Sequence, residues 1–216
     1  MMRFFIVFLL VSFVFAPKWA HATVNVYDNP EFGYSLNYPD DWMAQAETAG
    51  LPHTYKIVAE EGRSSAYCQV TTSIDKRFQI YGPDIMPQVL SKELGPDFWA
   101  TQLANYNEVR FLEVYETSGV AGAPGTRVLA DYIDNRSRPH RAWFGATVLD
   151  GVQYVTQCAA FQEDFSVHEK MFHSIMATLK TKSAFHPFIN GFYRDFTGDR
   201  PILYPLADGI GTIEFN

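Results

Sequence analysis

Histidine is the side chain best suited to acid–base or metal chemistry at neutral pH. Beyond the first 22 residues the chain has five histidines: His53, His140, His168, His173 and His186. A general-base or metal site would need two or three of them to converge with carboxylates. Glu169 and His173, four residues apart, lie on one face of a predicted helix and could together hold a cation. Because two donors from one helix make a weak site, a solvated Glu–His pair is the favoured interpretation.

The other histidines that can be placed have structural interpretations. His168 lies one turn before Phe172 and is predicted at the edge of the core. His140 stands between Pro139 and Arg141, and it is predicted to be exposed in a turn. Neither position predicts a catalytic role.

Three aspartates, Asp131, Asp134 and Asp150, lie in or beside a group of predicted strands. Paired carboxylates could serve acid–base chemistry or bind calcium, but turn formation is their favoured use. No nucleophile elbow, phosphate loop, zinc-finger spacing or dinucleotide fingerprint occurs along the chain. The sequence therefore predicts no catalytic residue, no metal ligand and no cofactor.

The first 22 residues predict export. Arg3 gives a positive start, residues 4–15 are an apolar run with Ser12 as its one polar residue, and Ala20 and Ala22 are the small residues that a signal peptidase reads. A membrane anchor would need about 20 apolar residues, and Pro17 with Lys18 ends this run too early. We predict a signal peptide over residues 1–22, cleavage after Ala22, a periplasmic or secreted product, and no stable membrane insertion after cleavage.

The charge of the chain excludes some partners. Its formal net charge is −7, and cleavage would remove Arg3 and Lys18 but no acidic residue. An acidic protein repels phosphate backbones and anionic lipid headgroups, so neither nucleic acid nor a bare membrane is predicted as a main partner. Proteins with basic patches, or cations, remain possible.

The two cysteines, Cys68 and Cys158, both lie in strand-like segments. In an oxidising compartment they are predicted to pair as a structural disulfide. The alternative is a redox pair or a set of thiolate ligands, but catalytic pairs usually take a close C-x-x-C spacing, and these cysteines are far apart in sequence. Pairing also requires Cα atoms closer than about 7 Å, which the sequence alone does not settle.

The hydrophobic pattern predicts an α+β domain. Strands are predicted over residues 32–39, 54–60, 66–74, 108–117, 127–134, 142–149 and 152–161. Residues 32–39, 66–74 and 108–117 show the two-residue period of a half-buried strand, and the last three segments are apolar runs separated by turns. Trp42 is expected to fold back onto the core. Asp150–Gly151 is the strongest hairpin signal, since a type I′ turn needs positive φ at both central residues. The glycine-rich segment 119–125 is predicted to be a mobile loop.

Helices are predicted over residues 84–94, 96–104 and 166–179. Asp84 is a possible cap of the first helix, and Ser166 with Glu169 forms a capping box for the last. The last helix carries an apolar stripe of Phe172, Ile175, Met176 and Leu179. This stripe must be buried against the sheet.

From Ser183 the composition changes to aromatic residues interleaved with glycine, proline and aspartate. Residues 183–216 are too few to bury a core of their own without metals or disulfides. We predict an aromatic-rich C-terminal extension packed on a domain of residues 23–182. The alternative is an arm that binds a partner.

Several segments resemble the PsbP family, which includes extrinsic subunits of the photosynthetic oxygen-evolving complex. Residues 33–42, GYSLNYPDDW, resemble the family's opening strand and its Pro-x-x-Trp motif. Residues 73–83, followed by a helix ending at Leu94 and Gly95, resemble its strand-to-helix junction, and residues 146–154 resemble its late hairpin. The resemblance covers about residues 32–180. It implies an antiparallel β-sheet flanked by helices, as a PsbP-like α/β/α sandwich.

Relatives of this fold act as accessory subunits or binding modules, and the resemblance brings no catalytic set to transfer. The sequence therefore favours an exported, non-enzymatic binding or accessory module that docks on another protein of the cell envelope. Two alternatives remain: a periplasmic enzyme (a hydrolase) using loop carboxylates or a histidine, and a cation-binding carrier. An enzyme should show a pocket where titratable groups such as His140 converge, whereas a docking module should gather exposed aromatic residues on a flat face.

Overall fold

The computed structural model describes residues 23–48, 50–59, 65–82 and 85–181, together with the backbone of residues 202–203 and 212–213. The predicted signal peptide lies outside the described residues. So do Asp84, His186 and nearly all of the predicted C-terminal extension.

A seven-stranded antiparallel sheet forms the centre of the protein. Its strands lie in the spatial order β3-β4-β5-β9-β8-β7-β6. Their bounds are β3 Trp42–Glu47, β4 His53–Ala59, β5 Tyr67–Ile74, β6 Asn107–Val120, β7 Ala123–Ile133, β8 Pro139–Leu149 and β9 Val152–Phe161. All seven predicted strand segments overlap observed strands, and the predicted antiparallel α+β fold is confirmed. Strand β3 was not predicted as such, although Trp42 is buried as expected.

A smaller three-stranded sheet has the order β1-β2-β10, with bounds β1 Val24–Asn29, β2 Tyr34–Pro39 and β10 Lys180–Thr181. A separate short pair consists of β11 Ile202–Leu203 and β12 Thr212–Ile213. The helices are α1 Met86–Glu93, α2 Pro96–Gln102 and α3 Phe165–Thr178, and a 3-10 helix spans Lys76–Ile80. Among the helices of the described ranges, none is long and apolar enough to span a membrane.

Each face of the large sheet carries its own core. Neighbours in sequence such as Trp143 and Phe144 belong to different cores, because side chains alternate between the two faces of a strand. Helices α1 and α2 cover one face, where Trp99 is fully buried. Helix α3 and the small sheet cover the other face, where Phe172 packs edge-on against Trp42. The predicted apolar stripe of α3 therefore does shield the sheet.

The disulfide between Cys68 and Cys158 is confirmed. Its two residues lie directly opposite each other in strands β5 and β9, with their Cα atoms 4.1 Å apart. The β5–β9 pair is where the strands of the first half of the chain meet those of the second half. The disulfide therefore joins the two halves of the sheet at its centre.

Two tight turns connect the antiparallel strands from β6 to β9. Asp150 and Gly151 both have positive φ, at 49° and 77°, as a tight hairpin requires. The prediction of a mobile loop over residues 119–125 was wrong, because β6 and β7 run through this segment and only Ala121 and Gly122 form the turn. Gly125 is needed for close packing instead, since a Cβ there would clash with the carbonyl oxygen of Ala146.

The predicted capping box was also wrong. Helix α3 begins at Phe165, which places Ser166 inside the first turn, and Asp164 occupies the cap position without a side-chain hydrogen bond. The side chain of Phe165 is buried against Phe172. Burial of this ring explains why the cap position lies two residues earlier than the polar pattern suggested.

Candidate binding surfaces at the arginine-rich end of the sheet

Three of the histidines are buried, and each is bonded within the fold. His53 Nδ1 lies 2.7 Å from the carbonyl oxygen of Thr48, so this nitrogen carries the proton and donates. His53 Nε2 then accepts from Asn29 Nδ2 at 3.0 Å, and Glu47 Oε1 lies 3.9 Å away. The ring of Phe32 stacks on the imidazole. These contacts connect the small sheet to the large one.

His173 was predicted to form a solvated pair with Glu169, and this was wrong for the histidine, which is buried. Its Nδ1 lies 3.2 Å from Nη2 of Arg127, and its Nε2 lies 3.9 Å from Glu169 Oε1. Glu169 also accepts from Trp143 Nε1 at 3.2 Å. Burial lowers the pKa of Arg127, whose guanidinium carbon lies 4.9 Å from the centre of the Trp143 ring. The sheet thus brings Arg127 and Trp143 beside α3.

His140 was predicted to be exposed in a turn, and this was also wrong. Strand β8 begins at Pro139, so His140 is part of the sheet, and its buried ring stacks on Tyr132 with 5.4 Å between the ring centres. Burial lowers the pKa of His140, against the opposing effect of the nearby Asp134. His140 Nε2 lies 3.2 Å from Asp134 Oδ2. His168 is half-buried, 5.9 Å from Phe172 between ring centres, at the predicted edge of the core.

Asp134 organises the turn between β7 and β8, which agrees with the turn role predicted for it. Its Oδ1 accepts from the backbone N–H groups of Arg136 and Arg138, both at 2.9 Å. Its Oδ2 accepts from Arg138 Nε at 2.9 Å and Nη2 at 2.6 Å. Burial alone would raise the pKa of Asp134, but the hydrogen bonds from Arg138 and Arg136 hold that pKa well below its usual range. The carboxylate therefore stays ionised and fixes the guanidinium of Arg138.

Asp131 was predicted to form a turn, but it lies within β7 and is buried. It accepts from Arg141 Nε at 2.7 Å, from Arg110 Nη2 at 2.8 Å and from Gln162 Nε2 at 3.0 Å. Burial alone would raise the pKa of Asp131. The hydrogen bonds from Arg141 and Arg110 outweigh burial, so the pKa of Asp131 is lowered. One carboxylate thus positions arginines from two different strands.

These contacts create an arginine-rich end of the sheet, formed by Arg110, Arg136, Arg138 and Arg141. The sequence reasoning missed it, although a signal exists: five arginines and no lysine occur between Lys92 and Lys170. Arginine is the side chain that binds carboxylates in two-pronged geometry, so its exclusive use here points to planar ion pairs. What the pattern could not show is that strands β6 and β8 and the turn between β7 and β8 bring four of the five to one end of the sheet.

A cavity of about 520 Å³ opens at this end of the sheet. It is lined by Arg138, Pro139, Phe161, Gln162 and Glu163. His140 and Asp134 lie directly behind Arg138 and Phe161 but do not line the cavity. The cavity thus presents one cationic and one anionic side chain, a half-buried aromatic ring and an amide. Across the described part of the chain, no three histidine, cysteine, aspartate or glutamate side chains lie close enough to hold a metal ion together.

Strand β6 forms one edge of the large sheet and is its longest strand, with 14 residues. Within the described ranges it pairs only with β7, and most of its side chains from residues 107 to 117 are exposed. Phe111, Leu112 and Val114 are large apolar side chains among them. The expected gathering of aromatic residues on a flat face is not seen here, since Phe111 is the one aromatic side chain of these three.

Comparison with known proteins gives a fold and no closer relationship. No protein-family model and no curated protein sequence matches the chain. The solution structure of cyanobacterial PsbP (CyanoP) from Synechocystis is similar, with a TM-score of 0.53, 10% sequence identity, and coverage of 76% of this chain and 95% of that chain.

Two further solved structures are less similar. LpqN, described as involved in cell envelope biogenesis of Mycobacterium tuberculosis, has a TM-score of 0.46 and 15% identity over 74% of this chain and 91% of that chain. The Ran-binding protein Mog1p of Saccharomyces cerevisiae has a TM-score of 0.45 and 7% identity over 78% of this chain and 99% of that chain. The likeness to PsbP at such low identity extends to the fold alone, and the protein has a PsbP-like fold.

Proposed function

We propose that the protein is an exported, non-enzymatic binding or accessory module that docks on another protein of the cell envelope through strand β6. The observation that carries this proposal is the long edge strand with Phe111, Leu112 and Val114 exposed. An edge strand with exposed apolar side chains is a hazard that proteins usually avoid unless a partner covers it. The known accessory role of PsbP-fold proteins supports the same class of function.

The side chains of β6, more than its backbone, carry the proposed contact. The register between β6 and β7 shifts at three places: between Asn107 and Arg110, between Phe111 and Glu113, and between Tyr115 and Ser118. Such bulges interrupt the ladder of free backbone groups and discourage another strand from adding to the edge. Bulges alone would protect the edge without any exposed apolar residue, so the apolar side chains call for a separate explanation.

The charge of β6 indicates which kind of partner would bind to this strand. Between residues 107 and 117, β6 carries Glu108, Glu113 and Glu116 against a single arginine, Arg110. Two copies of this strand facing each other would bring like charges together in chains that are already acidic. A partner protein whose apolar contact residues are flanked by lysine or arginine fits this surface better than a second copy does.

Export is the second part of the proposal. The predicted signal peptide over residues 1–22 supports it, and so does the Cys68–Cys158 disulfide, because disulfides persist mainly in oxidising compartments such as the periplasm. The partner is then an envelope protein with an apolar contact patch and a basic rim.

Photo-crosslinking in intact cells tests the docking surface. A benzophenone amino acid is placed at Leu112 or Val114 of the full chain, and as a control at Val26, an exposed apolar residue on the edge strand β1. We expect one adduct of the same mass from both β6 positions and none from Val26. An adduct of the chain with itself, equal adducts from both strands, or no adduct would each contradict the proposal.

The partner identified by crosslinking is then purified, and its affinity for this protein is measured directly. The double substitution Leu112→Ser and Val114→Ser is expected to weaken binding by about tenfold or more, since buried interface anchors dominate affinity. The matched control, Val24→Ser with Val26→Ser on β1, should leave the affinity unchanged. Raising the salt concentration should slow association, because the rim contact is ionic.

A further inference from the structure

We infer that the cavity beside Arg138 binds a small zwitterion of the amino-acid class, such as a dipeptide with free amino and carboxyl ends. The inference rests on the side chains that line the cavity, and it does not depend on docking through β6. Arg138 and Glu163 bring opposite charges to one cavity, with Phe161 and Pro139 as its apolar surface. A ligand carrying both charges and an apolar part matches this lining.

Arg138 is prepared to bind a carboxylate. Its Nε and Nη2 are held by Asp134, and its guanidinium carbon lies 5.2 Å from the centre of the Phe161 ring. Within the described part of the chain, Nη1 has no hydrogen-bond partner, so its two hydrogens remain for a ligand. Because Asp134 and Phe161 already fix the guanidinium, little rotational freedom is lost when a carboxylate binds.

Glu163 supplies the opposite charge. It follows Gln162, whose backbone N–H donates to the carbonyl oxygen of Pro139 at 3.1 Å and so holds this rim of the cavity against the start of β8. A ligand with a carboxylate alone would be repelled by Glu163, and one with an ammonium alone would be repelled by Arg138. A zwitterion avoids both repulsions.

Gln162 adds a polar side chain to the lining of the cavity. Its Nε2 is committed to Asp131 at 3.0 Å, which orients the amide and leaves Oε1 to accept a hydrogen bond. An ammonium group or a peptide N–H of the ligand is the matching donor. The cavity volume of about 520 Å³ lies in the range typical of small-molecule sites, which is ample for a dipeptide.

Isothermal titration with leucylphenylalanine tests the inference, using its N-acetyl and C-terminal amide derivatives for comparison. We expect the unmodified dipeptide to bind about tenfold more tightly than either derivative, because each derivative loses one charged contact. Arg138→Gln should abolish the preference for the free carboxylate over the amide. Glu163→Gln should abolish the preference for the free amine over the acetylated form.

Arg77→Gln is the matched control. Arg77 is also bonded to an aspartate, Asp75, and also lies over a phenylalanine ring, but it does not line the cavity. This substitution should leave all three affinities unchanged. Melting temperatures check that each variant is folded. If Arg138→Gln does not fold, Arg138→Lys replaces it and should reduce the preference for the free carboxylate, because lysine keeps the charge but not the fixed guanidinium geometry.

Equal affinity for the three ligands would overturn the inference, as would absence of binding at millimolar concentration or unchanged selectivity in the two cavity variants. None of these results bears on the crosslinking of β6. A failure of one proposal is therefore distinguishable from a failure of the other.

Discussion

At two places in this protein, an aspartate forms an ion pair with an arginine whose guanidinium lies over a phenylalanine ring. Asp75 holds Arg77 above Phe78 at the 3-10 helix, and Asp134 holds Arg138 above Phe161 at the β7–β8 turn. In both pairs Nε donates at 2.9 Å and Nη2 at 2.6 Å. The guanidinium carbon lies 5.5 Å from the ring centre in the first place and 5.2 Å in the second.

The surroundings of these two contacts differ. Phe78 is buried in the same core as residues of α1 and α2, so Arg77 packs on the outside of that core. Phe161 is half-buried and lines a cavity opposite Glu163. An ion-paired arginine over an aromatic ring is therefore a local structural feature, and the neighbouring groups decide whether it can also bind a ligand.

The largest expected difference concerns the two rings. Phe78→Ala should cost about 3–5 kcal/mol of unfolding free energy, as is usual for truncation of a buried phenylalanine. Phe161→Ala should cost clearly less, about 1–2 kcal/mol, because solvent already reaches part of this ring. Urea unfolding of both variants measures the difference, and equal losses would show that Phe161 belongs to the core.

The two aspartates should differ next. Asp134→Ala leaves two backbone N–H groups, a guanidinium and the buried His140 without their shared acceptor, and should cost about 2–3 kcal/mol. Asp75→Ala removes bonds to Arg77 alone and should cost about 1 kcal/mol, the usual value for a lost helix cap. A larger loss of unfolding free energy in Asp75→Ala than in Asp134→Ala, measured by the same urea unfolding, would contradict this ranking.

Acid should reveal the same difference. Both aspartates have a pKa lowered in the folded state, so their contribution to stability is complete above the unfolded value near pH 4. It is lost as the pH falls through the lower folded pKa values. Between about pH 4 and pH 2, the unfolding free energy of the wild-type protein should fall as the pH is lowered. It should fall less steeply in both asparagine variants, and Asp134→Asn should reduce the slope more than Asp75→Asn does. Identical slopes in the two variants would contradict this expectation.

The smallest effects are expected for the arginines. Arg77→Gln and Arg138→Gln should each cost less than about 1 kcal/mol, since partly exposed ion pairs contribute little to stability. Melting temperatures should therefore hardly separate them, whereas titration with leucylphenylalanine should. A large loss of stability in Arg138→Gln alone would give Arg138 a mainly structural role.

Much of the fold could be predicted because it depends on local pattern. The period-two alternation and the apolar runs between turns located most of the strands, the Asp150–Gly151 dipeptide located the central hairpin, and two cysteines in strand-like segments predicted the disulfide. The stripe of α3 identified the face that packs on the sheet. Resemblance to PsbP then supplied the arrangement that these elements adopt, and this agrees with the structure.

The candidate sites depend on strand register, which local pattern does not reveal. Pro139 suggested that His140 belongs to a turn, but hydrogen bonding across the sheet draws it into β8. Asp131 meets Arg141 because the two are paired across β7 and β8, and it meets Arg110 across β6 and β7. In the same way, close packing of Gly125 under β8 converted an expected mobile loop into two strands and a tight turn.

The disulfide has a consequence for proteolysis. Cys68 and Cys158 enclose all of β6, β7 and β8, including the exposed strand proposed for docking. A single cut by a protease anywhere between the two cysteines would produce fragments that stay covalently attached. Such a nicked protein would keep its full mass until a reductant separated the pieces, so damage to the exposed strand would not by itself release half of the sheet.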